Sequence, residues 1–245
     1  MSKEVAGTTV VMLGNAAIAR GAYEAGVKVS AAYPGTPSTE ISENLVKYKD
    51  ELYSEWSPNE KVATEVAIGA SISGVRALVS MKHVGVNVAS DPLYTISYSG
   101  VNGGLVLVAA DDPGIYSSQN EQDSRMVARA AMVPVIEPSD SEEARMFIKR
   151  AFELSEQYDT PIMFRTTTRL AHSQGVVHLE ERQQIPDKPY EKNIAKNVMM
   201  PGNAIKRHLV VEERLKKMAA DAATLDINKV CLLYTSPSPR DLSTS

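Results

Sequence analysis

Between residue 10 and about residue 168, short apolar runs rich in Val, Leu and Ala alternate with longer segments of helical period. That alternation is the pattern of βα units stacked around a mainly parallel sheet, because a strand covered by helices on both faces has no polar side to show. The runs predict strands at Val29–Tyr33, Leu52–Trp56, Ala77–Met81, Leu105–Ala110, Pro134–Ile136 and Pro161–Arg165. The segments between them predict helices at Asn15–Ala25, Ser38–Lys47, Glu60–Ser73, Val86–Ser97, Glu121–Ala131 and Ser141–Tyr158. Ser38 before Thr39-Glu40 and Asp140 before Ser141-Glu142-Glu143 read as helix starts, with acids in the positive first turn. The expected fold is therefore α/β, with a doubly wound, mainly parallel six-stranded sheet.

Past His172 the pattern weakens. Residues 180–194 are charged and punctuated by proline, and only Ile205–Ala223 regains helical character, which suits a linker leading into a further domain. The organisation expected is a domain over residues 1–175, a linker with the start of the next domain over 176–230, and a tail over 231–245. The tail contains CLLYTSPSPRD, which has no periodicity and resembles a translated sequencing adapter. It is left out of the fold argument, and it takes the single cysteine, Cys231, with it. A chain with so little cysteine builds neither a disulfide framework nor a thiolate cluster by itself.

Charge narrows the function. With 26 basic against 30 acidic residues the net charge is −4, the wrong sign for wrapping nucleic acid. No apolar run approaches the ~20 residues of a membrane span, and the N-terminus lacks a basic region ahead of a long apolar stretch, so the expected location is the cytoplasm, with no membrane partner. The glycine-rich phosphate loops of dinucleotide and P-loop proteins, the nucleophile elbow and the HExxH zinc motif are absent.

Four segments fall at predicted strand ends, where open α/β sheets bind ligands. In AAYPGTPSTE (31–40), Pro34 and Pro37 stiffen the loop, Gly35 permits close approach and Thr36 offers a hydroxyl and an amide to an anion. In SPNEKVATEVAIGAS (57–71), Glu60 opens a helix whose small residues, Gly69 among them, imply a closely packed neighbour; a first-turn acid is equally the ordinary reading of Glu60. SMKHVGVNVASDPL (80–93) brings Lys82, His83 and Asn87 near one turn, where an isolated histidine would usually be structural. AADDPGIYSSQNEQDSR (109–125) is a long polar loop suited to a docking surface or a lid.

Taken in order, YPGTPSTEI (33–41), NEKVATEVAIGASISG (59–74), MKHVGVNVASDPL (81–93) and ADDPGIYSSQNEQDSR (110–125) resemble the N-terminal pyrimidine-binding domain of the thiamine-diphosphate 2-oxoacid:ferredoxin oxidoreductases. The similarity spans about residues 10–215. YPGTPS, KHVG and SSQNEQD are most similar to the indolepyruvate:ferredoxin oxidoreductase alpha subunits. The resemblance implies that Glu60 is the catalytic carboxylate, hydrogen-bonding N1′ of the cofactor's aminopyrimidine and so favouring the imino tautomer that activates the thiazolium carbon. It further implies Pro34, Gly35, Lys82, His83 and Asn87 beside the cofactor, Thr36 beside the substrate carboxylate, and no metal ligand in this stretch.

Such enzymes oxidatively decarboxylate 2-oxoacids to acyl-coenzyme A and pass electrons through iron–sulfur clusters to ferredoxin. The resemblance accordingly implies a beta subunit as partner. It also implies a diphosphate and Mg2+ site and 4Fe-4S clusters in domains this chain lacks, so the chain alone should be inactive. Pyruvate or branched-chain specificity, and a non-catalytic domain that binds its partner through residues 116–125, stand as the alternatives.

Overall fold

The computed structural model describes residues 5–228 of the chain. The proposed adapter tail and Cys231 lie outside the described residues. A parallel sheet of six strands forms the centre, in the order β3-β2-β4-β5-β7-β6, with β2 at Val29–Ala32, β3 at Tyr53–Trp56, β4 at Ala77–Lys82, β5 at Leu105–Asp111, β6 at Val135–Ile136 and β7 at Ile162–Thr167. All pairings within it are parallel. Each predicted strand is present, within one or two residues of its predicted limits.

Every residue of β4 and β5 is buried, and period 2 divides them between two cores. Leu78, Val106, Val108 and Phe164 face one way, onto helices α1 (Gly14–Glu24), α2 (Thr39–Leu45) and α7 (Ser141–Tyr158). Val79, Met81, Leu107 and Met163 face the other, onto α3 (Glu60–Ile72), α4 (His83–Val88), α5 (Ser90–Ser99) and α6 (Ser124–Ala130). This double coverage is why the strands are apolar throughout. From β2 the chain winds outward to β3, then returns to place β4 on the opposite side of β2. The winding therefore reverses between β2 and β4, and their carboxyl ends flank the crevice where such folds take ligands.

The remaining elements depart from the sequence pattern for identifiable reasons. The predicted helix Val86–Ser97 is two helices: α4 starts three residues early at His83, and α5 starts afresh at Ser90. Pro92 has no amide to give and its ring would strike the carbonyl of Val88, so a continuous helix fails and a new one begins with proline in its first turn. Ser38 does not cap α2; its hydroxyl turns back to the Gly35 carbonyl at 2.8 Å. Asp140 does cap α7, accepting the Glu143 amide at 2.8 Å. A 3-10 turn, Val46–Tyr48, closes α2.

Two short strands escaped the pattern. β1 (Thr9–Leu13) pairs antiparallel with β8 (Gln174–His178), beside the short helix α8 (Thr168–His172). Residues 180–192, expected as a linker, lie against the amino-terminal edge of the sheet: Gln183 donates its amide to the Glu24 carbonyl and Lys188 to that of Gly74. After the single turn α9 (Ile194–Asn197), α10 (Pro201–Ala222) starts earlier than expected with proline in its first turn, as the missing amide allows. It returns across the domain, burying Val211 and anchoring Arg214 on the carbonyls of Ser97 and Asp159, both at 2.6 Å. No helix among the described residues is long and apolar enough to cross a membrane.

Candidate functional site at the sheet reversal

Glu60 is the first residue of α3, and Asn59 ahead of it accepts the Val62 amide at 2.9 Å, fixing the helix start. The carboxylate is thus held where the helix dipole favours negative charge. It is half-buried, and among the described residues no side chain donates to it. What touches it is Gly85 of α4. A Cβ placed there would fall 2.6 Å from Glu60 Oε1 and 2.7 Å from its Cγ. Glycine at this position lets the α4 backbone run against the acid, an approach no other residue permits. Gly69, by contrast, has open space where its Cβ would be. The close neighbour that the small residues of α3 suggested is the sheet at Ala63 and Ala67, while Gly69 faces outward.

Across the crevice, the loop after β2 carries the exposed Pro34 and Thr36, and the Thr36–Pro37 peptide is cis. Gly35 has its closest neighbour in Lys82, whose Cβ would lie 3.3 Å from an added Cβ. Its small size serves the packing of the β2 and β4 loops on one another, a use the sequence did not suggest. Lys82 ends β4 with its ammonium donating to the Ser117 carbonyl at 2.7 Å, while the Ser117 hydroxyl reaches the Thr36 carbonyl at 3.5 Å. His83 is 1% exposed; Nε2 meets the Asn120 carbonyl at 3.1 Å and Nδ1 is buried with no partner. Thr36, Gly35, Lys82 and His83 therefore converge beneath one loop. Asn87 stands one helical turn beyond His83, on the exposed side of α4, and is not drawn into that cluster.

The covering loop, residues 112–123, is pinned at both ends by a pair of fully buried acids that the sequence reading did not single out. Asp111 accepts Arg165 Nε at 2.7 Å and the Ser124 amide at 3.1 Å, tying the start of α6 to β7. Asp112 accepts the Ser118 hydroxyl at 2.6 Å, the Thr168 hydroxyl at 2.7 Å and the Ser117 amide at 2.8 Å. Burial opposes ionisation of Asp112, but these donors outweigh it and hold its carboxyl well below the usual carboxylate range. The available signal was the tandem Asp-Asp closing an otherwise apolar strand.

The crevice of this reversing parallel sheet thus carries an acid at a helix start, backed by a glycine cradle, and a buried imidazole nitrogen two residues from that glycine. The orphan Nδ1 of His83 and the unpaired carboxylate of Glu60 suit a heterocycle that brings its own donors and acceptors. The family described as "Pyruvate flavodoxin/ferredoxin oxidoreductase, thiamine diP-bdg" matches residues 20–228, and the chain belongs to it.

Among curated relatives, the chain is 48% identical over 227 residues to the indolepyruvate oxidoreductase subunit IorA of Archaeoglobus fulgidus, covering 88% of this chain and 36% of that one. It is likewise 48% identical over 229 residues to the same subunit of Methanothermobacter marburgensis, covering 91% and 37%. The chain thus spans about a third of the length of these relatives. The solved 2-oxoglutarate:ferredoxin oxidoreductase from Magnetococcus marinus superposes with a TM-score of 0.73 at 18% identity, over 86% of this chain and 45% of that one, which attests the fold. These findings agree with the α/β fold and the family expected from the motifs.

Proposed function

We propose that this chain is the N-terminal part of an indolepyruvate:ferredoxin oxidoreductase alpha subunit, an enzyme that oxidatively decarboxylates aryl 2-oxoacids to acyl-coenzyme A and reduces ferredoxin. The observation that carries the reading is the unpaired Glu60 carboxylate, cradled by Gly85 at the sheet reversal of a chain close in sequence to indolepyruvate oxidoreductase subunits. Thiamine diphosphate, when bound, supplies the nucleophilic carbon and the electron sink that decarboxylation needs.

The residues of this chain serve the aminopyrimidine end of that cofactor. Glu60 would hold a proton at its ring nitrogen N1′, and the helix-start position keeps the acid ready to do so. His83 and the loop carrying Pro34 and Gly35 would form the surrounding wall. Thr36 would offer a hydroxyl to the carboxylate of a 2-oxoacid, and Lys82, expected beside the cofactor, would bring a cation near the same carboxylate. Asn87, exposed one turn further along α4, is proposed to meet the cofactor or whatever closes the cleft. The diphosphate and Mg2+ would be held elsewhere in the assembled enzyme: among the described residues no group of three or more His, Cys, Asp or Glu could hold a metal ion. The 4Fe-4S clusters and the beta subunit would belong likewise to the rest of the enzyme, and residues 1–175 are proposed as the pyrimidine-binding domain, with 176–230, whose described part packs back onto it, joining it to the next.

The test is an anaerobic assay of the full-length subunit with its partner, following coenzyme A-dependent dye or ferredoxin reduction by indolepyruvate, pyruvate and a branched-chain 2-oxoacid. Preference for indolepyruvate, with a loss of about 100-fold or more in Glu60→Gln, supports the reading. Equal activity in Glu60→Gln would refute the role of Glu60, and a preference for pyruvate would refute the substrate.

A further inference from the structure

We infer that Asp112, which lies outside the residues expected to touch cofactor or substrate, is the positioning residue of this site: through the loop it clamps, it sets where the Lys82 ammonium and the His83 imidazole stand. Asp112 is fully buried just past the end of β5, and its carboxylate is the point on which the loop is hung. One oxygen takes the Ser117 amide and the Ser118 hydroxyl; the other takes the Thr168 hydroxyl from the start of α8. With its amide and following hydroxyl held, the carbonyl of Ser117 is aimed at Lys82 Nζ, 2.7 Å away. Three residues on, the Asn120 carbonyl lies 3.1 Å from His83 Nε2.

The clamp works against a backbone cost. Ile115 takes a φ of +56°, a left-handed conformation that a β-branched side chain resists, and Gly114 before it takes +84°. A loop turned this way returns to the sheet only if something stronger than its own preference holds it. Three hydrogen bonds on one buried carboxylate, from three residues on two separate segments, meet that need. The lowered pKa of Asp112 agrees, since the donors are aligned to its charged form. Without the clamp, Lys82 loses its carbonyl partner and becomes free to reach solvent.

This inference deepens the proposed reading of the crevice, and the experiment separates the two. In the 245-residue chain, Asp112→Asn and Thr168→Val are compared with Thr168→Ser, which keeps the hydroxyl. The readouts are the rate of Lys82 acetylation by a water-soluble amine-reactive ester and amide hydrogen exchange over residues 113–123. The first two variants should raise both rates by about tenfold, the scale of one lost hydrogen bond to a charged group, and Thr168→Ser should restore them.

Lys149, similarly buried on α7 and paired with Glu24 and Glu180, is the control and should not change. Should Asp112→Asn fail to fold, Thr168→Val and its serine rescue carry the test. Unchanged labelling of Lys82, an equal rise at Lys149, or failure of serine to rescue would overturn the inference. In the full-length enzyme, Thr168→Val should raise KM for the 2-oxoacid more than it lowers kcat; a fall in kcat alone would also overturn it. Absence of 2-oxoacid oxidation by the unmodified enzyme would strike the functional reading and leave the labelling result standing.

Discussion

Replacing Gly85 with alanine separates what the site demands from what the fold demands. Gly85 is in α4, so alanine gains about 1 kcal/mol in helix propensity. Against this, the new methyl falls 2.6 Å from Glu60 Oε1 and 2.7 Å from Cγ, closer than carbon atoms approach, and one of the two must move. The acid is a half-buried side chain at a helix start, and swinging it off its preferred rotamer costs about 0.5–1.5 kcal/mol. The two effects nearly cancel, and for a chain of this size a residual of 1 kcal/mol moves the midpoint by only about 2–4 °C.

The site should lose far more. A carboxylate displaced from its partner forfeits a charge-assisted hydrogen bond worth about 1.5–3 kcal/mol, or roughly 10- to 100-fold. Calorimetry should therefore show a melting temperature within a few degrees of the parent. Titration of the full-length enzyme with thiamine diphosphate, together with its kcat, should show the loss. If Gly85→Ala retains full activity while Glu60→Gln does not, the acid tolerates displacement and the cradle has no functional meaning. A drop of more than about 10 °C would mean instead that the methyl meets structure that cannot yield.

Residues 1–230 titrated with thiamine diphosphate and Mg2+ should bind no more tightly than millimolar, because on the proposed reading the diphosphate is held by another part of the enzyme; micromolar affinity by calorimetry would contradict the half-cleft reading. Glu24 is fully buried, bonded to Arg145 at 2.7 Å and Arg20 at 2.8 Å and accepting the Glu180 amide, so Glu24→Gln leaves buried cations under-compensated. The expected cost of about 3–5 kcal/mol lowers the melting temperature by roughly 6–20 °C, and a change under 3 °C would show that the network contributes little.

Acid stability has a definite sign. Burial opposes the charge on Glu156, yet its bonds to Arg76 and the Gly104 amide hold its pKa below the usual carboxylate range, as donors do for Asp112. Groups whose folded pKa is depressed contribute stability that is present above their unfolded values, near 4, and lost as pH falls through the folded ones. Urea midpoints should therefore stay level from pH 8 to about 5 and decline below about 4, and Asp112→Asn should shallow that decline. A decline centred between pH 7 and 5 would point to histidine instead.

Sequence periodicity alone determined the parallel core, because a strand sandwiched between helices must be apolar along its whole length and a helix over it must repeat near 3.6. It placed Glu60, Thr36, Lys82 and His83 beside strand ends for a related reason: strand ends are visible as the place where an apolar run meets turn residues, and ligands of such sheets sit there; the roles proposed for these residues came from the family resemblance instead. It missed β1 and β8, whose five residues each are half exposed and paired across a separation of some 165 positions, leaving no local signature.

Only the tertiary structure decided that Gly85 exists for Glu60, that Gly35 serves Lys82, and that Gly69 faces outward, since a glycine's purpose is set by the atom facing its missing side chain. The same holds for Asp112. Its neighbours in the chain are an aspartate and a proline, but its partners come from the turn ahead and from Thr168, 56 residues away, and they meet only when β5 and β7 lie side by side. Local pattern fixes which faces are buried; which polar groups find one another inside depends on the order in which the strands are laid down.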